Sequence, residues 1–189
     1  NDRLALEKEF GGIIRGMAYP DTGINRIHTG SSYESIRRNL HDLGIAYARC
    51  AFRANDTFLL PVDWYDWVPT AHHDEPQVLE LAENFASMDI DSRYCASRYP
   101  RLFYLWGHTY EFDTNNNWQV MEEFAAKISG HEDIWYATNM EIYEYVEAYR
   151  ALHFSVEGKF VYNPSAIPVW FEYAGVTCKV EPGETKKFR

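Results

Sequence analysis

Leu102-Phe103-Tyr104-Leu105-Trp106-Gly107-His108-Thr109-Tyr110-Glu111 decides how the rest of the chain is read. Five bulky apolar residues in a row, between Arg101 and Gly107, spell a strand buried on both faces. Such a strand sits in a sheet covered by helices. A titratable imidazole just past its C-terminal end stands where α/β folds place their chemistry. A histidine there also serves as an ordinary cap or turn residue. The balance shifts to a site because Asp63-Trp64-Tyr65-Asp66-Trp67 sets two carboxylates and three aromatics at the end of an earlier strand.

On either side of that strand, helical and extended patterns alternate. Leu4 to Phe10, closed by Gly11-Gly12, reads as the last turns of a helix with a glycine C-cap. Ile13 to Ala18 is a short strand, followed by the turn Tyr19-Pro20-Asp21-Thr22-Gly23. Ser31-Ser32-Tyr33-Glu34 is a capping box that opens a helix to about Asp42, and Ile45 to Phe52 is the next strand. Pro76 stands at a helix start and predicts a helix over Gln77 to Ser87. After the central strand come a helix from Trp118 to Ile128, a strand at Asp133 to Ala137 and a helix from Met140 to Ala151. This alternation predicts a parallel sheet with helical crossovers over residues 1–152. From 153 to 189, short alternating segments with turns at Glu157-Gly158, Asn163-Pro164, Ala174-Gly175 and Pro182-Gly183 predict a small antiparallel β appendage.

The chain has 189 residues, enough for a real core, and a formal net charge of −10. That charge excludes nucleic acid as a partner, which demands a basic footprint. No apolar run reaches the roughly 18–20 residues of a membrane-spanning helix. Aromatics make up 16% of the residues, a surplus that suits a cleft stacking on ring-shaped ligands such as sugars and equally suits a plain core. Three cysteines (Cys50, Cys95, Cys178) lack metal-type spacing and read as free thiols. No N-terminal signal pattern is visible, and the compartment stays open between a cytoplasm and a cell surface.

The order of a Tyr-Pro-x-x-Gly turn, an Asp-x-x-Asp-Trp stretch and a strand ending in His resembles the polysaccharide deacetylase family. Phe103 to Glu111 and Asp133 to Asn139 look especially like one bacterial branch, and the likeness covers Leu4 to Gly183. The resemblance implies a distorted (β/α) barrel and a metal-dependent hydrolase that removes acetyl groups from amino sugars of a polysaccharide or peptidoglycan. It implies that His108 is the general acid and that Asp63 orients it. Trp67 would line an acetyl pocket, and Tyr19-Pro20-Asp21 would supply a backbone donor to the oxyanion. Asp66 and Trp106 would complete the carbohydrate site. The family's metal ligands and catalytic base belong to two earlier motifs without counterparts here, and its bracing arginine aligns with Ala18. The resemblance therefore implies the C-terminal two-thirds of such a domain, an incomplete barrel.

A divalent metal such as zinc is expected of the intact domain, and none of this chain alone. The open edge at Ile13 to Ala18 would be covered by a second copy or an N-terminal segment. His72-His73-Asp74-Glu75 is the densest ligand cluster, but adjacent histidines seldom face one ion, and an N-cap role suits Asp74. The alternative function is a carbohydrate-binding or degenerate module that keeps the aromatic cleft (Trp64, Tyr65, Trp67, Trp106) without turnover, and a purely structural α/β domain is the third.

Overall fold

In the first part of the chain, strands pair in parallel and in chain order. The computed structural model describes residues 1–20, 32–51, 53–89 and 99–188. These form two compact units, Asn1–Tyr136 and Ala137–Arg189.

The first unit opens with helix α1 (Asp2–Phe10), closed by Gly11 in the left-handed region with its N–H on Glu7 O. Strand β1 (Gly16–Ala18) pairs in parallel with β2 (Tyr47–Arg49), Gly16 opposite Tyr47. Gly16 is needed there because a Cβ would stand 2.1 Å from Cζ of Tyr47. Between the two strands runs α2 (Tyr33–Asp42), capped by Ser32, whose hydroxyl accepts from Ser35 N. Its Leu40 packs with Ile45 and Ala48, and Met17, Tyr19, Ile36 and Tyr65 close around them.

The next extended stretch sits beside β2. Cys50 N donates to Trp67 O and Trp67 N donates to Ala48 O. Four residues later β3 (Ala71–His72) pairs in parallel with β4 (Leu105–Trp106). Residues 67–72 thus touch β2 at one end and β4 at the other. Helix α3 (Val78–Ala86) returns from β3, α4 (Thr109–Asn115) follows β4, and α5 (Trp118–Ile128) packs against α3. Among the described residues the sheets are small and none closes on itself, and β1 has a strand on one side only. No helix among them is long and apolar enough to cross a membrane.

The second unit begins with α6 (Asn139–Arg150), opened by a capping box of Thr138 and Glu141. Strands β5 (His153–Phe154) and β6 (Phe160–Tyr162) pair antiparallel. Strands β7 (Val169–Tyr173) and β8 (Val176–Val180) form a hairpin, and β9 (Thr185–Lys187) adds to β6. The core is Ala148, Leu152, Val161, Val169, Val180 and Phe188. Asn163 is fully buried and fully satisfied: its amide donates to Ile167 O and Val180 O, and its carbonyl accepts from the N–H and hydroxyl of Ser165.

Three features differ from the sequence expectation. The division falls after Tyr136, not after residue 152, because Ala148 and Leu152 at the end of α6 belong to the second core. Residues 133–137 form no strand; Trp135 and Tyr136 stay exposed, and the Tyr136 hydroxyl donates to Ile128 O, which ties the segment to the end of α5. The central apolar run narrows to a two-residue ladder, because a helix starts immediately after His108.

Candidate functional site: a histidine–carboxylate cluster beside a cleft

Strand β3 ends at His72, and the chain then turns. Alternation along a strand would send His72 and His73 to opposite faces. The turn brings them together instead, with ring centroids 4.4 Å apart and planes tilted by 32°. Glu75 fixes the turn by accepting from His72 N at 3.1 Å, and the ring Nδ1 of His72 accepts from Asp74 N at 3.2 Å. Helix α3 is capped at Gln77, so Asp74 is not its N-cap. One Asp74 oxygen lies near His73, and the other accepts from the side-chain amide of Asn115.

Strand β4 ends beside this turn, and His73 N donates to Trp106 O. Gly107 is the next residue. The His73 ring occupies the space where a Cβ would stand, with Cδ2 only 1.8 Å from that point. The imidazole is thereby buried between the β4 backbone and Phe112, whose ring centroid is 4.1 Å away.

Helix α4 supplies the carboxylate. His108 is its N-cap residue and Glu111 its third residue, and Glu111 Oε2 accepts from His108 N at 3.0 Å, the return half of a capping box. The same oxygen meets three imidazoles: His73 Nε2 at 2.8 Å, His108 Nδ1 at 3.2 Å and His72 Nε2 at 3.3 Å. Burial pushes the Glu111 carboxyl up, but the hydrogen bonds from His73 and from the backbone and ring of His108 outweigh it and hold the group below its ordinary value. Glu111 is therefore ionised at neutral pH and only accepts, so His108 Nδ1 carries a proton and Nε2 is left for other contacts. Burial and the neighbouring His73 together lower the pKa of His72, against the pull of Glu111.

His72, His108 and Glu111 open onto one cleft of about 840 Å³, walled also by Tyr19, Arg49 and Trp106. The Arg49 guanidinium lies over the Trp106 ring at 4.1 Å. The Tyr19 hydroxyl donates to Tyr65 O, and burial raises its pKa well above the usual tyrosine value.

Of the residues singled out in the sequence, Tyr19, Pro20, Trp106 and His108 share this cleft. Asp21 lies outside the described residues. Asp63 and Asp66 line a separate hollow of about 330 Å³. Asp63 caps the 3₁₀ turn Trp64–Asp66 by accepting from Tyr65 N, accepts from the Tyr33 hydroxyl at 2.6 Å and lies 3.3 Å from the Arg37 guanidinium. Its partners are thus Tyr33 and Arg37, and the carboxylate that His108 meets is Glu111. Asp66 is held by Arg53 and by the Cys50 thiol. Trp67 is fully buried among Tyr47, Trp64 and Tyr104, at centroid distances of 5.1–5.2 Å, and lines neither hollow. Its backbone pairing with β2 turns the indole into the core.

Glu111 was missed from sequence, although a signal existed: His-x-x-Glu has capping-box spacing, disguised by a histidine in the place of Ser or Thr. No protein-family model, curated protein or solved structure matches the chain. The class that can be stated is a small mixed α/β unit with parallel strand pairs and a histidine–carboxylate cluster at their C-terminal ends.

Proposed function

We propose that the cleft is the active site of a hydrolase that removes acetyl groups from N-acetylated amino sugars, with His108 as the proton donor. The observation that carries this proposal is the His108–Glu111 pair on the cleft wall, at the end of a parallel strand. The deacetylase-like residues Tyr19, Pro20 and Trp106 around the same cleft support it. The barrel fold implied by that likeness is part of the proposal, and the parallel, in-order pairing of β1 with β2 and of β3 with β4 supports it.

Glu111 holds the His108 ring through Nδ1, and Nε2 is left to give a proton to a substrate nitrogen. Water adds to the acetyl carbonyl, releasing its proton to solvent, and the C–N bond breaks as His108 protonates the departing amine. Acetate and the free amino sugar leave, and His108 regains its proton from solvent. A divalent cation, when bound at such a centre, supplies a more acidic water. Trp106 and Tyr19 offer apolar faces with polar edges for a sugar ring.

The test uses the protein together with any residues its gene places before Asn1, incubated with N-acetylated amino-sugar oligomers and divalent metal. Acetate and free amine should form in equal amounts, and His108→Ala should lower kcat by on the order of 10² to 10⁴. Asp63→Asn, outside the cleft wall, should leave most of the rate. Oligomer binding without acetate release would assign the cleft to carbohydrate binding alone and overturn the hydrolase proposal.

A further inference from the structure

Four side chains beside the cleft bring donor atoms to one point. His72, His73, Asp74 and Glu111 each offer one nitrogen or oxygen, and these atoms all lie within 4.8 Å of one another. Ligands placed about 2.0–2.2 Å from a tetrahedral cation stand roughly 3.5 Å apart. Glu111 Oε2 stands 2.8 Å from His73 Nε2 and 3.3 Å from His72 Nε2, a little inside that spacing.

A second observation concerns His73 itself. Its side chain is 2% exposed, yet Nδ1 makes no hydrogen bond. Asp74 Oδ1 is only 3.0 Å away, yet the two atoms form no hydrogen bond. A buried imidazole wedged against Phe112 and the Gly107 backbone, with one nitrogen unsatisfied, is a poor choice for a core position. It is a good choice for a ligand. With Nε2 on a cation, the ring no longer shares the one Glu111 oxygen with His72 and His108.

We infer that this chain binds one divalent cation of the zinc class at the end of β3, through His72, His73 and Glu111, with Asp74 completing the set. Two imidazoles and two carboxylates select such a cation over magnesium or calcium, which take oxygen alone. The cation replaces the protons that now hold His72 and His73 to Glu111. His108 approaches Glu111 from the cleft side and stands outside the four-residue donor set. The inference does not depend on the hydrolase proposal, because it concerns binding and not turnover.

Untagged protein, stripped with chelator and dialysed, is titrated with zinc by calorimetry, and bound metal is counted by mass spectrometry. One equivalent should bind with a Kd on the order of 10⁻⁶ M or tighter, and excess magnesium should not compete. His72→Gln and Glu111→Gln should each weaken binding by about tenfold or more. Both side chains are partly exposed, and circular dichroism checks that the variants fold. His73→Ala removes a buried ring and is not relied on. His108→Ala should bind zinc like the wild type. Folded wild type without zinc, variants that bind equally well, or a His108→Ala loss as large as theirs would each overturn the inference. Zinc binding without acetate release overturns the hydrolase proposal alone, and acetate release without zinc binding overturns this one alone.

Discussion

Gly107→Ala tests whether the close approach of His73 to the end of β4 holds the cluster together. An added Cβ would stand 1.8 Å from His73 Cδ2, 2.6 Å from Nε2 and 2.9 Å from Cγ. Carbon atoms rest at about 3.5–4.0 Å, so the ring must retreat by roughly 2 Å. It has little room: the side chain is 2% exposed, with Phe112 at 4.1 Å and His72 at 4.4 Å between ring centroids. Overpacking of this kind costs about 1–3 kcal/mol. The displaced ring also loses its 2.8 Å hydrogen bond to an ionised carboxylate, worth about 1.5–3 kcal/mol. Together these give about 3–6 kcal/mol, and the first unit should melt at least about 6 °C lower. Five of the six tryptophans (Trp64, Trp67, Trp106, Trp118, Trp135) lie in that unit, so intrinsic fluorescence follows its unfolding. Gly12→Ala, where a Cβ meets nothing within 4 Å, is the control and should stay within about 0.5 kcal/mol of wild type. A Gly107→Ala protein melting within about 1 °C of wild type would refute the packing argument.

Burial, reinforced by the hydrogen bond to Asp66, pushes the Cys50 thiol up to about 12, so iodoacetamide at about pH 8 should leave it unlabelled in the folded protein while labelling it after denaturation; equal labelling in both states would contradict the buried contact. Ala174 sits at φ 52 and Gly175 at φ 81 in the two-residue turn between β7 and β8, so Ala174→Asn should stabilise the second unit by about 1 kcal/mol in calorimetry. An unchanged or lower melting temperature would refute that turn type. Hydrogen bonds from Thr138 N–H and Oγ1 lower the Glu141 carboxyl below its ordinary 4.5, so its contribution to stability is full above that value and is lost as pH falls through the lowered one. Glu141→Gln should therefore cost stability at about pH 6 and almost none at about pH 2, and a cost independent of pH would remove the charge from the explanation.

Elements with strong local signals were legible in the sequence, and those set by tertiary pairing were not. The Gly11 C-cap, the Trp118–Ile128 helix and the Ala174-Gly175 hairpin each follow from a few adjacent residues, and each forms as read. The run Asp133 to Ala137 carries strand-like residues but forms no strand, and the hydroxyl of its Tyr136 is bound to the end of α5 instead. Propensity alone could not tell that outcome from a buried strand. The site was half legible. His108 and Trp106 share one cleft, as their position along an apolar strand suggested, whereas Trp64, Tyr65 and Trp67, read as part of the same aromatic cleft, do not line it. Asp63 was joined to His108 on the same logic of strand ends, but a nearer use existed: its carboxylate caps the turn at Tyr65 and holds Tyr33 and Arg37. His72 and His73 were set aside because adjacent histidines seldom face one ion and Asp74 suited an N-cap, but the helix is capped at Gln77 and the turn after β3 brings the two rings together.

Glu111 links the local and the long-range parts of the cluster. As third residue of α4 it is tied to the His108 N–H, an interaction decided by four consecutive residues and formed wherever the helix starts. That tie holds Oε2 at the first turn of the helix independently of the imidazoles. His73 reaches it from a turn 38 residues away, held there by the missing side chain of Gly107. His72 follows because Glu75 closes the same turn. The carboxylate therefore does not have to be ordered by the imidazoles it meets, and the entropy of fixing it is met by helix formation. A proton donor in the cleft and a cation beneath it would both draw on this one pre-placed oxygen. Replacing Glu111 by Gln removes the charge from both while keeping an acceptor at the helix cap, so the variant separates loss of site chemistry from loss of fold.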